Sequence, residues 1–265
     1  MKFGSGEISR LICGANQFYG FSHFNSTLST VMQDFYTPER VCELWRQCNE
    51  FGIDGMVFHT EGRGQADVQR FLAQGGKMHL IGQGLEEPSE MIKTFKPLAP
   101  LAVYHHGSST DTLHHAGKIG EVKEWCKRVR DMGTLVGVGS HNPEVIALVE
   151  DQGWDVDFFA CCVYYVTRSM DEWNKVFNGE LVELQRDCYL QSDPPRMYKV
   201  MRATTKPCFA FKILAAGRAA NVEQAFRTAY ESIKPNDGIF VGMFPRFKDE
   251  VRENAERVHR LLVKS

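Results

Sequence analysis

Four of the nine histidines follow short apolar runs. His59 comes after GMVF, His105 and His106 come after LAVY, and His141 comes after LVGVGS. Histidine suits acid–base catalysis because its imidazole changes charge near neutral pH, and its neutral form binds metal ions. If these runs are parallel strands of a repeating strand and helix chain, their ends meet on one face. An enzyme is therefore the leading hypothesis.

Glu61 adds a carboxylate two residues after His59. In an extended strand residues i and i+2 face the same way, so the two side chains form either an acid–base pair or two metal ligands. A zinc or manganese site with one open position is predicted from His59, Glu61, His106 and His141. The alternative is a solvent-exposed HTEGRG turn. His105 and His106 point in opposite directions, so at most one of them faces the centre.

Lys212 interrupts the apolar run CFAFKILAAG. A lysine in a buried strand is costly unless it points into a polar mouth or pairs with a carboxylate. At the mouth its amine could form a Schiff base, donate a proton or hold an anionic group. The alternative is a buried lysine paired with an acid on the next strand.

Glycines and basic residues follow the last two apolar runs. Gly217 and Arg218 follow the seventh run, and Gly242 and Arg246 follow the eighth. In parallel barrels the loops at these two places commonly bind phosphate. A phosphorylated ligand or cofactor is therefore predicted there, with surface positions for the basic side chains as the alternative.

Eight β-like runs position these residues. They span 10–15, 55–60, 78–83, 101–106, 135–140, 158–165, 207–214 and 238–243. Helical patterns separate them, and three helix starts show a capping residue before a proline: Thr37–Pro38, Asn142–Pro143 and Asp193–Pro194. Strands buried on both faces lose the alternating pattern of an exposed sheet. The pattern predicts an α/β fold, a (β/α)8 TIM barrel.

A single domain over residues 1–265 fits this repeat best. A doubly wound open sheet would leave a spare pair of strands. The segment 167–192 after the sixth run is too long for a plain turn and predicts a long loop over the strand ends. The opening MKFGSGEIS predicts a hairpin that closes the other end of the barrel.

Composition excludes several classes of partner. The formal charge of −2 gives no basic field for nucleic acid or anionic lipid. A small-molecule substrate is therefore expected, and the oligomeric state stays open.

No apolar run approaches the roughly 20 residues that span a bilayer, and the start lacks the apolar middle of a signal peptide. The eight cysteines contain no CxxC pair and predict reduced, mostly buried thiols. A soluble cytoplasmic protein is expected.

The chain also resembles the aldo-keto reductase family. The matching pieces are GSGEISRLICGANQF, CNEFGIDGMVFHT, LVGVGSHNPEVIALVEDQGWDVDFFACCVYY and PNDGIFVGMFPRFKDEVRENAERVHRLL. The resemblance implies an aldo-keto reductase-like barrel and reduction of a carbonyl by NADPH. It also implies a tetrad of Asp, Tyr, Lys and His at the strand ends.

The tetrad is not matched position by position. His59 stands at the aspartate place, Gln83 stands at the lysine place, and no tyrosine follows His59 at the expected distance. Only the histidine has a candidate, His105 or His106. Asn254 corresponds to the adenosine-contacting helix start, which keeps NADP as an alternative cofactor. The resemblance implies a diverged member without the usual proton donor.

Three functions follow from these observations. The first is a barrel enzyme that performs acid–base or metal-assisted chemistry on a small carbonyl or hydroxyl compound, sugar-like or phosphorylated. Its site would comprise His59, Glu61, one of His105 and His106, His141 and Lys212. The second is an NAD(P)H-dependent oxidoreductase with a rebuilt proton relay. The third is a non-catalytic binding barrel.

Overall fold

Eight parallel strands form a closed barrel in the computed structural model, which describes residues 1–59, 62–85, 87–179 and 187–263. The strands are β1 Leu11–Cys13, β2 Gly55–Phe58, β3 His79–Gly84, β4 Ala102–His105, β5 Leu135–Ser140, β6 Phe158–Cys162, β7 Cys208–Phe211 and β8 Gly238–Val241. Each pairs with the next in the chain, and β8 pairs with β1. Every predicted run overlaps one strand, so the (β/α)8 barrel prediction is confirmed.

Helices connect the strands. They are α1 Ser26–Phe35, α2 Pro38–Glu50, α3 Gly64–Ala73, α4 Pro88–Phe95, α5 Gly107–His115, α6 Ile119–Arg130, α7 Pro143–Asp151, α8 Met170–Val176, α9 Asp193–Ala203, α10 Val222–Ser232 and α11 Glu250–Val263. Thr37 and Asn142 cap α2 and α7 as predicted. The predicted cap at Asp193 is wrong, because its carboxylate binds Arg168 instead.

Aromatic rings fill the barrel interior. The rings of Tyr104 on β4 and Phe240 on β8 lie 6.1 Å apart, although these strands stand on opposite sides of the barrel. Phe209 on β7 stacks on Phe240 at 4.7 Å. Side chains alternate between the two faces of a strand, so these rings identify the inward-facing positions of β4, β7 and β8.

The N-terminal hairpin closes the amino end of the barrel, as the sequence predicted. Lys2–Phe3 pairs antiparallel with Gly6–Glu7. The Phe3 ring lies 5.2 Å from the rings of Phe158 and Phe209, edge to face with both. The amino end is therefore filled with apolar side chains, which leaves the carboxyl ends of the strands as the place for a site.

Two long connections lie at the carboxyl end. The connection after β1 contains a 3-10 turn at Asn16–Tyr19 and helix α1, neither of which the sequence predicted. The segment 167–192 is not a plain loop, because it contains α8, which begins at a capping box of Ser169 and Glu172.

The two connections touch each other. His23 Nδ1 lies 2.8 Å from Asp187 Oδ2. Arg218, after β7, donates a 2.9 Å hydrogen bond to the carbonyl of His23. The carboxyl end of the barrel is therefore bordered on this side by residues from three connections.

Two predictions from composition can be compared with the fold. All eight cysteines are free, and all except Cys188 are buried, as expected for reduced thiols. Among the described helices, none is long and apolar enough to cross a membrane.

Candidate active site

His105 and His106 lie on opposite faces of the barrel wall. Because Tyr104 faces the interior, His106 also faces it and His105 faces the helices. The His105 ring lies 4.9 Å from Trp125 of α6, and its Nδ1 lies 2.7 Å from the Thr110 hydroxyl. Of the two predicted site histidines, His106 is the one at the barrel mouth.

A groove of about 900 Å³ opens on the outer side of His105. It lies between α5 and α6, and its walls include Ser108, Ser109 and Trp125. The Arg128–Glu87 ion pair also lines it. This groove is on the helix side of β4, so it is separate from the mouth that His106 faces.

His141 is held by a buried carboxylate from the neighbouring helix α5. Its Nδ1 lies 2.9 Å from Asp111 Oδ2, which also accepts the backbone N–H of His141 at 3.0 Å. The hydroxyls of Thr167 and Ser140 donate to the same carboxylate. Asp111 is fully buried. Nδ1 is therefore occupied by Asp111, so only Nε2 remains for other partners, and Cys162 is one of the hydrogen-bond partners of the ring.

The start of α5 packs closely against the end of β5, which allows the contact between Asp111 and His141. A Cβ added at Gly107 would lie 3.1 Å from Cε1 of His141 and 3.3 Å from the backbone nitrogen of Ser140. Contacts this short are tighter than a side chain normally allows. Glycine at the first turn of α5 therefore lets the helix approach β5 and brings Asp111 to His141.

His141 is protonated at neutral pH. Burial opposes its charged form, but the Cys162 thiol and the Asp111 carboxylate raise the pKa of His141 to about 9. Burial likewise opposes ionisation of Asp111, but the hydrogen bond and charge of His141 hold the pKa of that carboxyl below its usual value. The two side chains form a buried ion pair in which the imidazolium carries the transferable proton.

His106 is neutral under the same conditions. Burial is the main cause that lowers the pKa of His106 to about 3, and electrostatic interactions with His141, His105 and Lys212 add to it. Its Nδ1 is buried and has no hydrogen-bond partner among the described residues. The two imidazoles, on adjacent strands, thus differ in charge: His141 is charged and His106 is neutral. Their environments therefore suit His141 as an acid and His106 as a base.

Lys212 places a primary amine near His106 and His141. It follows β7 with a left-handed backbone (φ 59°), which ends the in-and-out alternation of the strand. The ring of the preceding Phe211 lies 5.5 Å from His141. The Lys212 charge lowers the pKa of both His106 and His141, so the three groups are electrostatic neighbours.

His59, unlike His106 and His141, is surrounded by aromatic rings. Its ring is 4.7 Å from Tyr19 and 5.7 Å from Phe21, and burial lowers its pKa to about 4. Both ring nitrogens are buried without a hydrogen-bond partner in the described part of the chain. Glu61, its predicted partner, lies outside the described residues.

The predicted metal ligands do not form a cluster within the described ranges. No group of three or more His, Cys, Asp or Glu side chains there has the arrangement to hold a metal ion. His141 already uses Nδ1 for Asp111, and His59 has aromatic neighbours. The zinc or manganese site remains a prediction that depends on Glu61.

Arg218 makes contacts within the protein. Its guanidinium lies 5.0 Å from the ring of Phe24 and 4.7 Å from the ring of Tyr189, and it donates to the carbonyl of His23. Gly217 beside it is exposed and left-handed (φ 89°). The predicted cofactor role of these two residues is not tested by these contacts.

The remaining predicted cofactor residues follow β8. Gly242 and Arg246 are exposed, and the Arg246 guanidinium lies over the ring of Phe247 at 5.6 Å. Asn254 is buried in α11, where its side-chain oxygen accepts a 2.6 Å hydrogen bond from Arg257. The side chain predicted to contact adenosine is thus occupied inside the protein.

Sequence patterns did not identify Asp111 or Cys162 as site residues. Asp111 stands 30 positions before His141 and within a short helix, where an acid is usually solvated. For the adjacent Cys161 and Cys162, strand alternation allows one of them to reach the mouth, but burial as a small apolar residue was the favoured interpretation. The one local signal for Asp111 was its place in the helix that begins directly after His105 and His106.

Known structures share this fold at low sequence identity. A truncated 3-deoxy-D-arabino-heptulosonate 7-phosphate synthase from Thermotoga maritima has TM-score 0.59 and 13% identity over 98% of this chain and 88% of that chain. A native KDPGal structure has TM-score 0.52 and 11% identity over 96% and 95%. A monomeric form of phosphoribosylanthranilate isomerase from T. maritima has TM-score 0.50 and 12% identity over 97% and 100%.

These similarities establish the fold alone. No protein-family model matches the chain, and no curated protein matches it. The structural neighbours above belong to barrel families other than the aldo-keto reductases. The (β/α)8 barrel is thus supported, whereas the aldo-keto reductase-like subtype is not.

Proposed function

We propose that this barrel is an enzyme that transfers protons on a small carbonyl or hydroxyl compound bound at the carboxyl ends of its strands. One observation carries the proposal: His106, the Asp111-held His141 and Lys212 converge there from the ends of β4, β5 and β7. The barrel interior below them is filled by aromatic side chains, so a ligand can reach these groups only from the mouth.

The two imidazoles take complementary roles. His141 donates a proton from Nε2 to the substrate oxygen, while Asp111 holds Nδ1 and stabilises the charged ring. Neutral His106 accepts a proton. Once His141 has lost its proton, its charge no longer lowers the pKa of His106, so His106 becomes a stronger base during the reaction.

A hydroxylated substrate fits the other side of the mouth. Each buried polar group without a partner costs on the order of 1–3 kcal/mol, and within the described residues both ring nitrogens of His59 are such groups. A sugar-like compound offers hydroxyl groups that donate and accept hydrogen bonds and would satisfy these nitrogens. This supports the sugar-like part of the proposal.

A phosphorylated substrate is a further part of the proposal. The names of two structural neighbours include a phosphate or phosphoribosyl group. In barrels of this kind the loops after the seventh and eighth strands are the usual phosphate site, and here exposed Gly217, Gly242 and Arg246 lie in these loops.

Exchange of carbon-bound hydrogen tests the proposal. The protein is incubated in D2O with pyruvate, dihydroxyacetone, dihydroxyacetone phosphate and glyceraldehyde 3-phosphate, and loss of the signal next to the carbonyl is followed by proton NMR. We expect accelerated exchange with at least one compound. His106→Gln and His141→Asn should each lower the rate by 10²-fold or more, about the contribution of a positioned acid or base.

His79→Asn is the matched control. His79 starts β3 at the opposite end of the barrel, and its loss should leave exchange unchanged. Exchange that survives in both His106→Gln and His141→Asn would contradict the assigned roles. An absence of exchange with every compound would favour the non-catalytic barrel.

The metal-assisted and NADP-dependent versions have less support. The metal-assisted mechanism needs Glu61 as a metal ligand. The NADP-dependent mechanism needs Asn254 to contact adenosine, but the side-chain oxygen of Asn254 accepts a hydrogen bond from Arg257. Elemental analysis of active protein and titration of NADPH against tryptophan fluorescence would test them.

A further inference from the structure

The side-chain amine of Lys212 forms no hydrogen bond and no ion pair with any described residue. By contrast, the amine of Lys206, near the start of the same strand, lies 3.4 Å from the Glu150 carboxylate. Lys234 similarly lies 3.2 Å from Asp237. The predicted alternative, a buried lysine paired with a neighbouring acid, is thus not found in the described part. A partly buried amine without a partner is available to a ligand.

The backbone that presents this amine is unusual. Lys212, Ala215 and Ala216 are all left-handed, with φ of 59°, 47° and 53°. Each such non-glycine residue costs on the order of 1 kcal/mol and persists only where the surrounding structure enforces it. A 2.8 Å hydrogen bond from the Ala215 N–H to the Lys212 carbonyl closes the turn. The fold maintains this strained turn directly after β7.

The groups around the amine supply the rest of an imine-forming site. Protonated His141 can deliver the proton that removes a hydroxyl group, and neutral His106 can accept one. The Asp187 carboxylate, whose pKa Lys212 helps to lower, can balance the charge of an iminium ion. Condensation of a carbonyl compound with an amine needs an activated amine and proton transfers to and from it, which these groups can supply.

We propose that Lys212 is a nucleophile that condenses with an aldehyde or ketone substrate to form an imine. The inference rests on the proposed function, because it assigns the carbonyl class and the covalent step of the same site. Neutral His106 accepts one proton from the amine, which attacks the carbonyl carbon, and His106 returns that proton to the oxygen of the carbinolamine. His141 supplies the second proton, with which the oxygen leaves as water, and regains a proton from the nitrogen. In sum, Lys–NH3⁺ and O=CR2 give Lys–NH⁺=CR2 and H2O, without an oxidant or reductant.

The iminium then withdraws electrons from the adjacent carbon. A proton on that carbon passes to His106, and the electron pair of the C–H bond forms an enamine. This is the exchange reaction of the proposed function, accelerated by the positive nitrogen.

Reductive trapping tests the inference. The protein is mixed with pyruvate, glycolaldehyde or glyceraldehyde 3-phosphate and reduced with sodium cyanoborohydride, which converts an imine into a stable secondary amine. Intact mass and peptide mapping then locate the adduct. We expect one adduct, at Lys212, with at least one probe.

Two arginine variants provide the comparison. Lys212→Arg keeps the positive charge but removes the primary amine, and Lys206→Arg makes the same change near the start of the same strand. We expect the adduct to disappear in Lys212→Arg and to remain in Lys206→Arg. Mapping of the wild-type adduct gives the same answer even if a variant fails to fold.

The outcomes separate this inference from the proposed function. An adduct spread over exposed lysines, or none at Lys212, overturns the inference. If deuterium exchange persists while no adduct forms, the proposed function stands and the covalent step is wrong. If Lys212 is trapped without exchange, the imine is correct and the proton-transfer role fails.

Discussion

Asp111→Asn isolates the ion pair behind His141. The substitution keeps the size of the side chain and removes its charge. An opposite charge within hydrogen-bond distance shifts a pKa by about 1–3 units, and here the Nδ1 to Oδ2 distance is 2.9 Å. We therefore expect the pKa of His141 to fall by about 2 units, to about 7, so that the ring is about half protonated at pH 7 and largely neutral only above about pH 8.

The stability effect depends on pH. The pKa of His141 rises from an ordinary 6.5 to about 9 in the folded protein. At 1.36 kcal/mol per unit, this corresponds to about 3 kcal/mol. A group with a raised folded pKa contributes this stability in full below pH 6.5 and loses it as pH rises through 9. The 2 units assigned to Asp111 correspond to about 3 kcal/mol of this. Asp111→Asn should therefore cost about 4 kcal/mol at pH 6, lost hydrogen bonds included, and only about 1 kcal/mol at pH 10, where the lost hydrogen bonds alone remain.

Two measurements check this prediction. Urea unfolding followed by tryptophan fluorescence at pH 6 and pH 10 gives the free-energy difference. NMR of protein with ¹⁵N-labelled histidine gives the pKa of His141, assigned by its absence in His141→Asn. Equal costs at both pH values, or a wild-type His141 that titrates below 6.5, would refute the reasoning.

Thr167→Val is the control for hydrogen bonding without charge. It removes the 2.7 Å bond to Asp111 Oδ2 and keeps the carboxylate. We expect a loss of about 1 kcal/mol at both pH values and an unchanged pKa for His141.

Two further predictions concern the framework of the mouth. Arg168→Met should cost about 3–5 kcal/mol in urea unfolding, because it removes the hydrogen-bonded partner of the buried Asp193 carboxylate and leaves only Arg196, 4.0 Å away, as a counter-charge; adding Asp193→Asn should recover part of the loss. Gly137→Ala should cost about 1–3 kcal/mol, because its Cβ would lie 2.6 Å from the Phe158 ring inside the barrel. Gly120→Ala, with nothing within 4 Å, is its control and should not destabilise; a similar loss there would contradict the steric explanation.

Local patterns in the sequence determined the barrel. Apolar runs, caps such as Thr37 and Asn142, and the hairpin at Phe3 all act within a few residues, so they are visible without tertiary structure. The alternation of side chains along a strand likewise required His105 and His106 to face opposite ways. The strand ends could therefore be identified as the site before any contact was known.

Tertiary packing decided which groups act together. Asp111 and His141 are 30 residues apart and meet because α5 packs on β5 at Gly107. Lys212 reaches the same place through a left-handed turn that no local pattern predicted. Packing also left His59 among aromatic rings, although its position at a strand end resembled that of the other histidines. The sequence alone determined where chemistry could occur, whereas long-range packing set the distances and burial that fix the charge of each group.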